Sequence, residues 1–183
     1  ENLTIESFSS TYTETATANG WDLTSPHCRA YCIHVDGAPT AGDEIVIKNC
    51  RLINDHFTTI GFGLKQDYTL RIENCELITT TTDDTLSGFS NYGTLYGHLA
   101  AGKVATGQRL EVLYNRIVNK GYAQAINLMD GSSQTEGCEA SYLLIGNVCN
   151  TTDLSNAFKV ANNYNFWTQD SMCFGNNVEA MNS

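Results

Sequence analysis

The sequence predicts an all-β fold: a single-stranded parallel β-helix, a solenoid of about five to six stacked coils with loop insertions. Three observations predict it. A short strand pattern recurs along the chain, a second strand recurs between its copies, and almost no segment has helical periodicity. The composition agrees, because charged residues make up only 16% of the 183 residues and Thr, Asn, Ser and Gly, which suit strands and tight turns, are abundant.

The first strand pattern reads apolar, any, apolar, any, Asn. Its best copies are Ile45–Asn49 and Leu70–Asn74, and both continue with Cys, a charged residue, Leu and Ile. Weaker copies end at Asn115, Asn147 and Asn176, and the opening segment Leu3–Ser7 fits with Ser in the Asn position.

The spacing of these Asn residues is typical of stacked coils. The interval is 25 residues from 49 to 74 and 41 residues from 74 to 115, and loop insertions of variable length leave the core of a solenoid unchanged. Asn tolerates the left-handed backbone of a bend, and stacked Asn side chains hydrogen-bond in a ladder. We therefore expect Asn49 and Asn74 to be adjacent, and Ile47 and Ile72 to be buried.

A second strand lies between the copies of the first, and its residues alternate with period two. Two strand types in a fixed order predict parallel strands that pair with their equivalents one coil away. The copies are Tyr31–Asp36, Thr59–Leu64, Leu95–Leu99, Ala125–Met129 and Ala157–Ala161.

With Asn-Cys at the bend, Ile45–Ile53 and Leu70–Ile78 resemble coils of the pectate-lyase-like superfamily, which includes polysaccharide lyases, polygalacturonases, and bacteriophage tailspikes and appendages. Tyr31–Gly37 is similar to a segment common in phage and bacterial surface β-helices. The resemblance covers nearly the whole chain at the level of the coil pattern. It implies a right-handed parallel β-helix and, from the phage spikes, a homotrimer of the full-length protein. It implies little about activity, because the superfamily hosts many activities.

We expect residues 1–183 to form one domain and to be a fragment of a longer chain, because the sequence opens with Glu1 rather than Met, directly at a strand. The formal net charge of −10 argues against nucleic acid, which needs clustered Lys and Arg, and against an anionic membrane surface. Neutral or cationic ligands fit this charge better. No stretch approaches the roughly 18 apolar residues of a membrane span, so we expect no membrane insertion.

The seven cysteines are an odd number, so at least one thiol is free. Cys28 and Cys32 lie four residues apart, but no second pair completes a zinc site, and we expect neither a metal nor a cofactor. We expect most thiols to be reduced and buried as small hydrophobic side chains. This favours folding in a reducing cytoplasm, as for a virion component assembled inside a bacterium.

The second strand presents a column of side chains on one sheet face. If Ile33 and Val35 point into the core, His34 and Asp36 point outward. Two interpretations stay open. The column lines a glycan groove, in which glycines let a ligand approach the backbone, or it is the polar face that any solvated sheet presents. The later positions are Gly61 and Gly63, then His98, then Asn127 and Met129, then Lys159.

Glycoside hydrolysis needs two carboxylates that flank the scissile bond. Asp83-Asp84 followed by Gly97-His98-Leu99 partly resembles the polygalacturonase pattern, but the Arg-x-Lys of that pattern is absent. A lyase needs calcium-binding carboxylates and a basic residue on the sheet face, where only Lys159 is close. The candidate catalytic residues are Asp36, His98, Asp84 and Asp130.

Aromatic side chains offer a second binding surface, because rings stack on sugar faces, although burial beneath a loop is the commoner arrangement for any one Trp. Trp21 and Trp167 are the candidates. The candidate ligand-binding residues are therefore His34, Asp36, His98, Asn127, Lys159, Trp21 and Trp167.

Three functions fit these observations. The first is a phage tailspike or appendage module that binds host cell-surface polysaccharide, located in the virion tail or on an extracellular surface. The second is a polysaccharide depolymerase, a hydrolase or a lyase, that acts in the groove of the sheet face. The third is a structural spacer of a virion or cell-surface fibre.

Overall fold

The structure is a computed structural model that describes residues 1–7, 31–35, 41–55, 58–63, 68–80, 93–99, 108–120, 125–130, 138–151, 158–159, 166–168 and 172–180. Within these ranges the chain is all-β and forms seventeen strands and no helix. A membrane-spanning helix is accordingly absent from the described part of the chain.

The strands are β1 (Thr4–Ser7), β2 (Tyr31–Val35), β3 (Glu44–Lys48), β4 (Arg51–Asn54), β5 (Thr58–Gly63), β6 (Thr69–Glu73), β7 (Glu76–Thr79), β8 (Leu95–Leu99), β9 (Gln108–Leu113), β10 (Arg116–Asn119), β11 (Ile126–Asp130), β12 (Cys138–Ile145), β13 (Val148–Thr151), β14 (Phe158–Lys159), β15 (Phe166–Thr168), β16 (Met172–Phe174) and β17 (Asn177–Ala180).

These strands lie in three sheets, and all their pairings are parallel. Sheet A has the order β1-β4-β7-β10-β13-β17, sheet B the order β14-β11-β8-β5-β2, and sheet C the order β15-β12-β9-β6-β3, with β16 also paired to β12. Successive strands visit the three sheets in turn: β3, β4 and β5 lie in C, A and B, and β6, β7 and β8 repeat the circuit. The topology is consistent with a parallel β-helix or solenoid, and it confirms the predicted parallel pairing of equivalent strands.

Alternation along each strand directs every second side chain into a core between the sheets. In sheet C, Ile47 and Ile72 pair in register and are 7% and 0% exposed, so the prediction that both are buried is confirmed. In sheet A, Leu52 and Leu77 pair and are fully buried. Each fully buried Leu or Ile contributes about 1.5–3 kcal/mol, so these rows supply the main favourable term. Sheet B adds the row Ile60, Leu95 and Ile126.

The bend from sheet C to sheet A has a left-handed residue in successive coils. Asn49 and Asn74 have φ of 55° and 51°, and Asn74 Nδ2 donates to Asn49 Oδ1 at 2.8 Å. The predicted adjacency of these two Asn residues in a ladder is therefore confirmed. In later coils the same position holds Tyr114, Gly146 and Gly175, with φ of 56°, 65° and 64°.

The alignment of the later Asn residues with this bend position is wrong by one residue. Because Arg116 pairs with Glu76, Asn115 is the equivalent of Cys75. Both positions of the bend favour Asn, the first because it tolerates left-handed backbone and the second because its amide hydrogen-bonds, so the sequence pattern does not separate them. The same shift applies to Asn147 and Asn176, and the opening strand Thr4–Ser7 pairs with Arg51–Asn54, not with Glu44–Lys48.

Asn115, Asn147 and Asn176 form a second ladder, which we call the amide column. Asn147 Oδ1 accepts hydrogen bonds from the backbone N–H and from Nδ2 of Asn115, both at 3.0 Å. Asn147 Nδ2 donates to the Val112 carbonyl at 2.8 Å and to Asn176 Oδ1 at 2.9 Å. Each amide therefore satisfies buried backbone groups as well as its neighbour in the column.

Two cysteines precede the amide column in the same position. The N–H of Cys75 donates to Asn115 Oδ1 at 2.8 Å, and the N–H of Cys50 donates to Cys75 Sγ at 3.4 Å. Burial raises the pKa of the Cys75 thiol, which keeps it protonated at neutral pH. None of the four cysteines whose side chains are described forms a disulfide: Cys32, Cys50, Cys75 and Cys149. The side chains of Cys28, Cys138 and Cys173 are not described, so the expectation for most of the seven stays a prediction.

Candidate functional site

The outer face of sheet C carries a charged network that joins successive coils. Arg71 Nε donates to Glu111 Oε2 at 2.7 Å, and Arg71 Nη2 lies 3.0 Å from Glu44 Oε1. Arg109 Nε donates to the other oxygen of Glu111 at 2.6 Å. Burial raises the pKa of Glu111, but the hydrogen bonds from Arg109 and Arg71 outweigh it and hold this pKa below its usual range. Glu111 is therefore ionised, and both of its carboxylate oxygens accept a hydrogen bond from an arginine.

Sheet A carries a similar network. Glu76 accepts a hydrogen bond from Arg51 Nε at 2.7 Å and another from Arg116 Nη1. The hydrogen bond from Arg51 lowers the pKa of Glu76, and the one from Arg116 adds to it, against partial desolvation. On sheet C, Lys48 Nζ donates to Glu73 Oε1 at 3.0 Å. Every Lys and Arg whose side chain is described in these two sheets is thus paired, and the two faces offer a ligand no free cluster of cations.

The outer face of sheet B holds the column that the sequence predicted. His34 pairs with Gly61, Gly61 with Tyr96, and Tyr96 with Asn127. Residues next to this row along the strands, among them Ile60, Leu95 and Ile126, belong to the core, so the row points away from the core. We call it the sheet B column: His34, Gly61, Tyr96, Asn127 and Lys159.

Two stacked rings, Tyr31 and His34, lie at the first coil of this column. Their ring centroids are 4.5 Å apart and their planes differ by 7°. Both rings lie over Gly61, because a Cβ at that position would be 2.4 Å from Tyr31 Cε1 and 3.1 Å from His34 Cδ2. A larger residue at position 61 would displace them. His34 is exposed and Tyr31 is half-buried, so the pair presents an aromatic surface to solvent.

The later part of the column is enclosed. Tyr96 is 9% exposed and Asn127 is 0% exposed, and Gly61 and Gly63 are also buried. The expectation of an exposed outward column, whether as an open groove or as a plain solvated face, is therefore wrong at Asn127. Strand alternation predicts the face on which a side chain lies, but not whether another part of the chain covers that face.

The amide of Asn127 is an exception among the buried polar groups. Its Nδ2 and Oδ1 are both buried, and neither has a hydrogen-bond partner in the described part of the chain. Most buried amides in native proteins are paired, because an unpaired buried donor or acceptor is costly.

The other candidates fall in three groups. His98 and Asp130 lie in β8 and β11 of sheet B, and Lys159 lies in β14 beside Asn127, but the side chains of these three are not among those described. Trp167 lies in β15 of sheet C, on a different sheet from the column. The predictions for Asp36, Asp84 and Trp21 lie outside the described residues.

Sequence reasoning did not assign Tyr31 or Tyr96 to the column. The sequence signal for the position of the Tyr31 ring is Gly61, one coil after His34, because a residue without a side chain leaves room for a neighbouring ring. Tyr96 lies two residues before His98, so strand alternation alone places it on the same face.

Among the described side chains, no group of three or more His, Cys, Asp or Glu is placed to hold a metal ion. No protein family model matches the chain, and neither a curated protein nor a solved structure is significantly similar to it.

Proposed function

We propose that this chain is a module that binds host cell-surface polysaccharide, of the kind found in bacteriophage tailspikes and appendages. In this proposal the chain is part of a virion tail or of an extracellular surface. Its coils form a right-handed β-helix similar to those of the pectate-lyase-like superfamily. The single observation that carries the proposal is the exposed Tyr31–His34 pair on the outer face of sheet B.

The chemistry of this pair suits a sugar. In a stacked pair each ring covers one face of the other, so the platform for the C–H groups of a pyranose is the outer face of the stack, and polar groups at the ring edges hydrogen-bond. Gly61 lies directly below and lets the rings sit close to the sheet backbone, so the platform is held in place. A rigid platform loses little conformational entropy when a ligand binds.

The charges favour a neutral polysaccharide over an anionic one. The formal net charge is −10, and the basic side chains described in sheets A and C are held in ion pairs, most of them between coils. An anionic polymer would approach against the net field of the protein.

The test is binding of the purified protein to a panel of bacterial surface polysaccharides, measured by affinity electrophoresis or calorimetry. We expect Tyr31→Ala and His34→Ala each to weaken binding about tenfold while the Tm changes little, because exposed substitutions cost within about 0.5 kcal/mol. Tyr114→Ala is the matched control, since Tyr114 is 62% exposed at the bend from sheet C to sheet A. Wild-type affinity in both ring variants would contradict the proposal.

The same samples separate binding from cleavage. A depolymerase would release reducing ends or unsaturated products, whereas a binding module leaves the polymer intact and a spacer does neither. Binding without cleavage is the function proposed, because the Tyr31–His34 pair that supports it is a contact surface without a carboxylate.

We also propose a homotrimer for the full-length protein, which rests on the resemblance to phage spikes alone. Light scattering of that protein should give three times the chain mass. A monodisperse monomer would refute this part of the proposal.

A further inference from the structure

We propose that the outer edge of β3 is a docking site for one further β-strand, which pairs in parallel with residues 44–47 and carries alternating apolar and basic side chains. The inference does not depend on polysaccharide binding, because it concerns the end of the stack and not the outer face of sheet B. In sheet C, β3 is the last strand of the order β15-β12-β9-β6-β3, and no other described strand pairs with it on that side.

The backbone of β3 presents hydrogen-bonding groups to this edge. In a parallel sheet, successive residues of a strand bond alternately to the neighbours on its two sides. The Asp43 carbonyl accepts from the Thr69 N–H at 3.0 Å, so the odd-numbered residues bond toward β6. The N–H and C=O of Glu44 and Val46 therefore face the other side, where the described chain supplies no strand. Such a row at a sheet edge is a template for the addition of another strand.

Asn2 shows where the docked strand would end and which way it would run. Its φ of 58° and the hydrogen bond from its N–H to the Lys48 carbonyl, at 3.2 Å, repeat the geometry of Asn49. Asn49 has φ of 55°, and its N–H donates to the Glu73 carbonyl at 3.1 Å. Asn2 is thus the bend residue of the first coil, and Glu1 lies beside Lys48 as Lys48 lies beside Glu73. A strand that ends at Glu1 would lie in sheet C, parallel to β3.

The core is incompletely covered at this edge. Ile45 is half-buried, whereas Leu70 and Leu110, its register equivalents in the next two coils, are fully buried. Ile47 is 7% exposed beside a fully buried Ile72. Apolar residues opposite Ile45 and Ile47 on a docked strand would remove this remaining surface from water, as β6 does on the other side.

The outward side chains favour a basic partner. Arg71, opposite Val46 on β6, has its Nη2 3.0 Å from Glu44 Oε1. An Arg or Lys opposite Val46 on the docked strand would reach the same carboxylate along the equivalent diagonal, since the Glu44 side chain is 43% exposed. A second copy stacked head to tail would not supply this charge in sheets A and C, because β15, β16 and β17 contain neither Lys nor Arg.

The test adds a probe strand to the full chain and measures thermal unfolding and amide hydrogen exchange. The probe is Thr-Leu-Arg-Ile, a copy of residues 69–72 joined directly before Glu1, where the covalent link gives it a high effective concentration. We expect its Tm to exceed that of wild type by about 3 °C or more. Amide exchange at Val46 and Lys48 should slow about tenfold or more, because these N–H groups face the probe. Exchange at Ile45 and Ile47 should change little, because their N–H groups already bond to β6.

Two matched probes isolate the side chains responsible. Thr-Ser-Arg-Ser keeps the length and the charge but lacks the apolar side chains, so its Tm should equal that of wild type. Thr-Leu-Glu-Ile should raise the Tm less than the Arg probe, because its carboxylate faces Glu44. Equal Tm values for the Arg and Ser probes would overturn the docking site, and equal values for the Arg and Glu probes would overturn its preference for a basic partner. Slow exchange at Val46 and Lys48 in wild-type protein would also overturn the site, because the chain itself or a second copy would then already cover the edge.

Discussion

Replacing Asn147 with Ala would remove one rung of the amide column. Its side chain is fully buried and makes four hydrogen bonds: two accepted from Asn115, one donated to Val112 and one donated to Asn176. After truncation, Asn115 Nδ2 still donates to the Ile72 carbonyl, and Asn176 Oδ1 still accepts from the Asn147 backbone. The Asn115 N–H loses its partner, whereas the Val112 carbonyl lies inside β9 in register with Leu144 of β12 and loses only the hydrogen bond from the amide. One orphaned buried N–H at about 1–3 kcal/mol, with the lost amide bonds to Val112 and Asn176 at about 0.5–1.5 kcal/mol each, predicts a loss of about 2–6 kcal/mol in the free energy of unfolding.

Urea unfolding followed by circular dichroism measures this loss, with Asn74→Gly as the control. Asn74 also donates one ladder hydrogen bond, but its amide is exposed, and Gly adopts φ of 51° without strain. We expect the control to cost less than about 1 kcal/mol. If Asn147→Ala and Asn74→Gly shift the urea midpoint equally, the amide column does not carry the stability assigned to it.

Three further predictions test the packing, the charges and the thiols. Gly97→Ala should lower the free energy of unfolding by about 1–3 kcal/mol, because the new Cβ would lie 2.4 Å from the Phe62 carbonyl oxygen. Gly61→Ala should mainly reduce glycan binding, because its Cβ meets the Tyr31 ring, which can rotate outward. Equal drops in Tm for the two variants would contradict this. The lowered pKa of Glu111 stabilises the fold above the usual glutamate pKa, and this stabilisation is lost as pH falls through the folded value. The urea midpoint of wild type should therefore exceed that of Glu111→Gln at neutral pH and approach it at about pH 3, and a constant gap would refute the ionic origin. Thiol titration of denatured, unreduced protein should find most of the seven cysteines outside disulfides, and fewer than four titrating thiols would contradict it, since four described cysteines form no disulfide.

The coil repeat was predictable because it depends on side-chain alternation and on one bend position that requires a positive φ. Ile47 and Ile72 are buried since they occupy the same inward place in consecutive turns of the chain. The later register was harder, because Asn115 stands one residue beyond the left-handed position held by Tyr114. A pattern of residue types does not distinguish an Asn that adopts a positive φ from one whose side-chain amide forms hydrogen bonds.

The candidate site was predictable only in outline. Alternation placed His34 and Asn127 on the same face, and the pairing of strands bears this out. The Tyr31–His34 stack depends on a glycine in another coil, and the burial of Asn127 depends on what covers the sheet. Both are tertiary properties that no local pattern encodes.

The backbone N–H groups of the amide column all donate in one direction. The backbone N–H of Cys75, Asn115 and Asn147 each donates to the amide oxygen of the following coil. A cut that removes the later coils therefore strips acceptors from backbone N–H groups, whereas a cut that removes the earlier coils takes carbonyl acceptors from Nδ2 groups that keep the next amide oxygen as a partner. Shortening the solenoid from its C-terminal side should thus unravel the new end further than shortening it from the N-terminal side, which gives the stack a polarity that engineered fusions and deletions would inherit.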